Sequence, residues 1–400
     1  MCTNRSSVFD DNVEFCFVKK FLKITLWTAA VLVALALVLL AVGRMVVDKV
    51  SPALTENPEI GKWYSIAPEG ALSADGTPWR GLFRKGKENK VIFLFFGGGV
   101  SLDEYTAARG YSVDSKHGYY SDNVEGLDFV GRLSFKAGIG SSREDNPFRD
   151  WTIVAFPYST GDFHCGAGEY EYTGLDGEEH VLHHRGYSNY EKTLDQVLPL
   201  LGTPEAVLVT GFSGGAFGTA LLSSDLASRF PENTNITAYV DAGLLIKDDW
   251  HDVAVNQWHV PDSIASFIVS DNITLDGLKA LHRKHSNVKI LFECSVRDAA
   301  FSNYQAYIDR GDNMTTTKAD GDRFNGYLRQ MVKDFQEAIP EGGLFLWDDI
   351  VSDEKEQLTL HTIEMTHHFF EDRGGNGSIS QWVYDAVCGK VYSKGLELVR

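Results

Sequence analysis

Two kinds of apolar pattern divide this chain. Residues 24–43 form one run without a charged side chain, from Ile24 through a Val/Leu/Ala stretch to Gly43. Beyond residue 90 the apolar positions come instead in short runs, at Val91–Phe96, Trp151–Pro157, Ala206–Val209, Ile236–Val240, Val288–Phe292 and Leu344–Trp347. Between them lie longer stretches with helical spacing, clearest at Tyr190–Leu201, Ala216–Arg229, Arg323–Ala338 and Ile379–Val387. Short, continuously apolar strands alternating with helices predict a mostly parallel sheet covered on both faces. The fold class is therefore α/β, a doubly wound sheet over residues 90–400, preceded by one N-terminal transmembrane helix. Residues 44–89 mix proline, glycine and aromatics without a clear period and read as a stalk and entry segment. Residues 1–23 read as a short cytoplasmic tail.

The first run has the length of a membrane anchor, since twenty helical residues span about 30 Å, the thickness of a bilayer core. Lys19, Lys20 and Lys23 precede it, and Arg44 and Lys49 follow it. This slight excess of positive charge on the N-terminal side predicts an N-inside, single-pass protein with everything after Arg44 outside the cytoplasm. A cleaved signal peptide is the rival. Against it stand the 23 residues before the run, the length of the run, and the lack of a clear small-x-small site before Arg44.

Charge narrows the partners. The chain carries −18 overall, with +2 on residues 1–50 and −20 on residues 51–400. Such a domain repels nucleic acid and anionic membrane surfaces, and no Lys/Arg-rich run overrides that. The lipid bilayer is thus a partner through residues 24–43 only, and nucleic acid is not one. Beyond the expected anchor only Cys165, Cys294 and Cys388 remain, enough for one disulfide at most. Asn235, Asn272, Asn313 and Asn376 each begin a glycosylation sequon.

In parallel sheets ligands bind beyond the carboxyl ends of the strands, so the chemistry is sought in the loops that follow them. Gly211-Phe212-Ser213-Gly214-Gly215 satisfies G-x-S-x-G between an apolar strand and a helical stretch. In that context the serine sits at the apex of a tight turn as a nucleophile, and the next N–H, that of Gly214, faces the developing oxyanion. Gly97-Gly98-Gly99 follows the strand Val91–Phe96, and Gly99 or Gly98 is the candidate second oxyanion donor. A serine nucleophile needs a base and an orienting acid, in the chain order Ser, Asp/Glu, His. Asp298 and Asp241 each follow a strand end. Among the histidines, His361 stands on a loop and leads, with His367 and His368 nearly two turns later on an expected helix. Asp162 and His164, in the loop after Trp151–Pro157, either bind substrate or form a local hydrogen-bonded turn, and the pair His183-His184 offers a metal reading. No HExxH or CxxC pairing accompanies them, so neither a catalytic metal nor a cofactor is expected.

Taken together these motifs resemble the pectin acetylesterase/Notum family of α/β-hydrolases over roughly residues 90–370. Gly97-Gly98-Gly99 is similar to the family's oxyanion segment. Asn146-Pro147-Phe148 with Pro157-Tyr158 and Gly161, Asp162, His164 and Gly166 is similar to a second block, and His184, Gly186, Tyr187 and Asn189 to a third. The nucleophile block and Asp241-Ala242-Gly243 match as well. Val100 and Ser159 stand where the family has Trp and Cys. The resemblance implies Ser213, Asp298 and His361 as the triad, with Asp162, His164, His184 and Asp241 as substrate-binding or supporting residues. It implies an esterase acting on an acylated polysaccharide or another ester. The expected activity is removal of short acyl groups, acetyl above all, from a glycan by a membrane-anchored serine esterase, lost below roughly pH 6 as the histidine base protonates. The alternatives are a long-chain acyl-ester or acyl-protein deacylase of the same fold, and an inactive glycan-binding module.

Overall fold

The computed structural model describes residues 51–125, 135–311 and 315–399. Its frame is an eight-stranded sheet. Four strands come first, β1 (Trp63–Ile66), β2 (Gly81–Arg84), β3 (Lys90–Phe95) and β4 (Thr152–Phe156). A separate hairpin follows, β5 (Gly168–Thr173) and β6 (Glu179–His184), and then β7 (Ala206–Phe212), β8 (Asn235–Asp241), β9 (Lys289–Ser295) and β10 (Gly343–Trp347). The sheet order is β1-β2-β4-β3-β7-β8-β9-β10. The six strands from β4 to β10 run parallel, and β2 is antiparallel to both its neighbours. The helices are α1 (Glu104–Ala107), α2 (Gly186–Leu201), α3 (Gly214–Ala227), α4 (Ile273–Lys284), α5 (Ala299–Arg310), α6 (Lys318–Ala338) and α7 (Ile379–Val387), beside shorter helical turns. A mostly parallel central sheet with flanking helices is an α/β-hydrolase-like fold.

Successive strand residues point to opposite faces, so a continuously apolar strand serves two cores. Val91, Phe93 and Phe95 of β3 join one buried cluster with Leu194 of α2, Leu221 of α3 and Leu278 of α4. Ile92 and Leu94 join the other with Ile379, Trp382 and Val383 of α7. This two-sided burial explains why the six parallel strands are mostly apolar.

The expected stalk needs correction. Residues Ser51–Arg400 form one compact unit, and β1 and β2 belong to its central sheet. Four-residue strands set among prolines and glycines are too short to show a period of two. The expected helix after His361 is also absent: residues 361–366 are irregular, and His367–Phe370 is a single 3-10 turn. The anchor expected over residues 24–43 lies outside the described residues, among which no helix is long and apolar enough to cross a membrane. Among the described residues Cys165 and Cys294 are buried free thiols and Cys388 an exposed one.

Candidate active site

The sharp turn between β7 and α3 has a steric requirement. A Cβ on Gly215 would stand 2.0 Å from the Phe95 carbonyl oxygen of the neighbouring strand, so only glycine lets the helix start there. Ser213 closes that turn at φ 56°, a region L-residues rarely occupy. Its side chain is partly exposed, and its own N–H donates to the Asp241 carbonyl at 3.0 Å.

The glycine loop after β3 lies against this turn. A Cβ on Gly97 would fall 3.1 Å from Ser213 Oγ, and one on Gly214 would fall 3.5 Å from Gly98 N. Gly99 has φ 82° and hands the chain on to Val100, whose N–H donates to Tyr119 O. Among the described residues the Gly98 and Gly99 N–H groups donate to no acceptor. Gly214 opens α3, where a first-turn N–H has no intrahelical partner. The Gly98 and Gly214 N–H groups thus stand beside Ser213, and such donors stabilise an oxyanion.

Asp298 follows β9 and does two things. Its Oδ1 accepts the Phe301 N–H at 2.9 Å and caps α5. Its Oδ2 stands 2.6 Å from His361 Nδ1. The carboxylate is fully buried, while the histidine side chain keeps 21% of its surface exposed. Nδ1–H therefore donates to Asp298, and Nε2 is left as the acceptor. Burial works against the imidazolium, but the Asp298 charge and hydrogen bond outweigh it and hold the pKa above the ordinary histidine value.

His361 is placed by backbone pairing. β12 (Leu358–Thr359), which pairs with β11 (Val351–Asp353), runs beside Asp298. The Thr359 N–H donates to Arg297 O at 3.0 Å, and Ser295 Oγ donates to Leu360 O at 2.9 Å. Phe301 packs edge-on against the imidazole, 4.7 Å between centroids. After His361 the chain turns through Thr362 at φ 56°. Asp241 Oδ2 then accepts the N–H groups of Ile363 at 2.9 Å and Glu364 at 2.7 Å.

Asp162, His164 and His184 are buried to 0%, 4% and 0% exposure, so none touches a ligand from solvent. Asp162 accepts from Thr160 Oγ1 and from the N–H groups of His164, Gly166 and Gly186. Burial pushes its pKa up to about 6, against these hydrogen bonds. His164 Nε2 bonds the Phe96 carbonyl at 2.8 Å, directly before Gly97, and His184 Nδ1 bonds Thr160 O at 2.8 Å. Burial pushes His164 down to about 4 and His184 to about 3, so both are neutral. They brace the floor under the glycine loop.

Sequence reasoning missed two residues beneath the site, Glu293 and Glu364, both fully buried. Glu293 accepts from Tyr239 OH at 3.2 Å and from Trp347 Nε1, and Glu364 Oε1 accepts from Thr210 Oγ1 at 2.7 Å. Glu293 was detectable as a carboxyl directly after the apolar run Val288–Phe292. Among the described residues the grouping that could offer a metal three ligand atoms is His367, His368 and Glu371. Its carboxylate is already taken by His368 Nδ1 at 2.6 Å and Arg373 Nη2 at 3.0 Å. A guanidinium on the shared oxygen opposes a cation there.

The family model described as Pectinacetylesterase matches residues 62–288, more than half of the chain. Ser213, the glycine loop and Asp241 fall inside the match, and Asp298 and His361 beyond it. No curated protein matches the chain.

Proposed function

The chain belongs to the pectinacetylesterase family and is a carboxylic ester hydrolase, and on that premise we propose that it removes acetyl groups from a glycan with Ser213, His361 and Asp298 as its triad. His361 Nε2 takes the Ser213 proton as Oγ attacks the ester carbonyl. The N–H groups of Gly98, Gly99 and Gly214 hold the oxyanion. On collapse the proton passes from His361 to the leaving sugar hydroxyl, and Ser213 keeps the acyl group. Water, deprotonated by the same Nε2, then attacks the acyl carbonyl, and on collapse the Oγ–acyl bond breaks, the proton returns from His361 to Ser213 Oγ and acetate leaves. Asp298 keeps His361 in the tautomer that makes Nε2 the base.

The observation that carries this reading is the 2.6 Å contact between His361 Nδ1 and the buried Asp298 Oδ2. A fluorophosphonate probe should label Ser213, and Ser213→Ala should lose both labelling and hydrolysis of p-nitrophenyl acetate. Undiminished hydrolysis by Ser213→Ala would overturn the mechanism. Acetyl esters should be cleaved faster than octanoyl esters, and the reverse order would move the substrate class to lipid or acyl-protein. Free pectin is polyanionic and the −20 charge of residues 51–400 opposes it at long range, so a less charged acetylated glycan is the favoured substrate.

The uncharged run 24–43 supports a second element of the proposal, a single-pass anchor with the hydrolase unit outside the cytoplasm. The whole chain should then resist alkaline carbonate extraction from membranes. A soluble product beginning near residues 44–52 would show cleavage instead.

A further inference from the structure

Beside the glycine loop the surface is built of tyrosines. A Cβ on Gly99 would stand 2.5 Å from the Tyr304 hydroxyl, so Tyr304, one turn along α5 from Phe301, touches the loop. That hydroxyl donates to Tyr119 O at 2.6 Å, which uses its one proton. The Tyr111 hydroxyl lies 3.4 Å from the Tyr304 oxygen and must be the donor between the two. Its own lone pairs accept from no group among the described residues.

Tyr111 is 41% exposed, yet it is held. Its N–H donates to Tyr120 O at 2.9 Å. The edge of its ring fills the space where a Cβ on Gly118 would stand, 2.5 Å away. The next residue, Ser112, is tied to Asp122 through both its N–H and its hydroxyl. Tyr105 is exposed as well, but the Arg109 guanidinium lies 3.5 Å over its ring and Tyr307 stacks on it. Among the described residues no aromatic ring or cation covers Tyr111.

We propose that Tyr111 binds a sugar unit adjoining the acetylated one, its ring against the C–H face of the pyranose and its oxygen accepting from a sugar hydroxyl. The inference rests on the glycan-esterase reading of Ser213. An aromatic face is the negative part of its quadrupole and attracts the weakly positive C–H face of a sugar. A tyrosine already held in place binds at little cost in side-chain entropy.

The test uses a neutral O-acetylated xylo-oligosaccharide and p-nitrophenyl acetate. Tyr111→Ala should lower the ratio of kcat/KM for the saccharide to that for the small ester by roughly three- to tenfold, the range expected of one stacking contact. Tyr111→Phe, which keeps the ring and loses the acceptor, should fall between. An unchanged ratio would overturn the proposal, including the case where both esters slow equally because the loop has moved. Calorimetric titration of the saccharide into Ser213→Ala, with and without Tyr111→Ala, separates the two readings. If the wild-type chain cleaves neither ester, the esterase reading fails, and equal affinities in the titration would sink the Tyr111 subsite separately.

Discussion

The main-chain carbonyl of Asp241 accepts the N–H of Ser213 at 3.0 Å. Through its side chain the same residue holds the N–H groups of Ile363 and Glu364, two and three positions after His361. One residue at the end of β8 therefore spaces the candidate nucleophile and the candidate base. Asp241→Ala should leave two buried donors without an acceptor, at about 1–3 kcal/mol for each group so stranded. Urea unfolding should show that loss, and kcat should fall with it as the strained turn at Thr362 relaxes. Unaltered stability would show that the base loop does not need this carboxylate.

Asp298 behaves differently, because its two oxygens serve two partners. Asparagine caps a helix as well as aspartate does, so Asp298→Asn should keep α5 and the fold. It cannot hold His361 in the required tautomer, and turnover should drop by about 10⁴-fold, as in other triads that lose their acid. Far-UV circular dichroism and kcat on p-nitrophenyl acetate check the pair of outcomes. A loss under tenfold would transfer the acid role to Asp241.

The pH profile follows from His361. Its pKa lies above the ordinary value of about 6.5, because the Asp298 carboxylate outweighs burial. Only the neutral ring can take the Ser213 proton. Activity should therefore be full above the raised pKa and fall as pH drops through it, with a midpoint above the value of about 6.5 expected of an unperturbed histidine. In Asp298→Asn the charge is removed and burial remains, so the midpoint of the residual activity should move down. A midpoint that stays in place would mean that His361 is not the titrating base.

The legible parts of this molecule are those where one residue type admits one environment. The six parallel strands are mostly apolar because both faces are buried, and their expected positions differ from the observed ones by a few residues at the ends. Ser213, Asp298 and His361 stood out because a strand end, a chain order and a loop position each restrict the choice. β1 and β2 were hidden by their length. α5 was hidden by its composition: Ser302, Asn303 and Gln305 break its apolar stripe, and the start signal is Asp298 itself. Asp162, His164 and His184 are legible as a motif that is either substrate-binding or supporting, since the same side chains suit a wet ligand site and a dry brace. Only their burial decides between the two.

That dry layer leads to a prediction about stability at high pH. Burial first, and the Asp241 charge second, push the Glu293 pKa well above the ordinary carboxylate range, against its bonds from Trp347 and Tyr239. The same two causes push up Glu364, against its bond from Thr210. In the unfolded chain both groups titrate near 4.3. The folded state thus holds protons that the unfolded state has released. The resulting stability is complete below the unfolded value and is lost as pH rises through the folded one. Glu364 Oε2 has no partner among the described residues, so a charge there would be uncompensated. Glu364→Gln copies the neutral form, keeps an oxygen for Thr210 and does not titrate. Its urea midpoint should change less between pH 5 and pH 8 than that of the wild-type chain, and at pH 8 it should be the more stable of the two. Parallel curves for the two proteins would mean that Glu364 is ionised in the native state, and that the layer beneath Ser213 and His361 carries more charge than its burial allows.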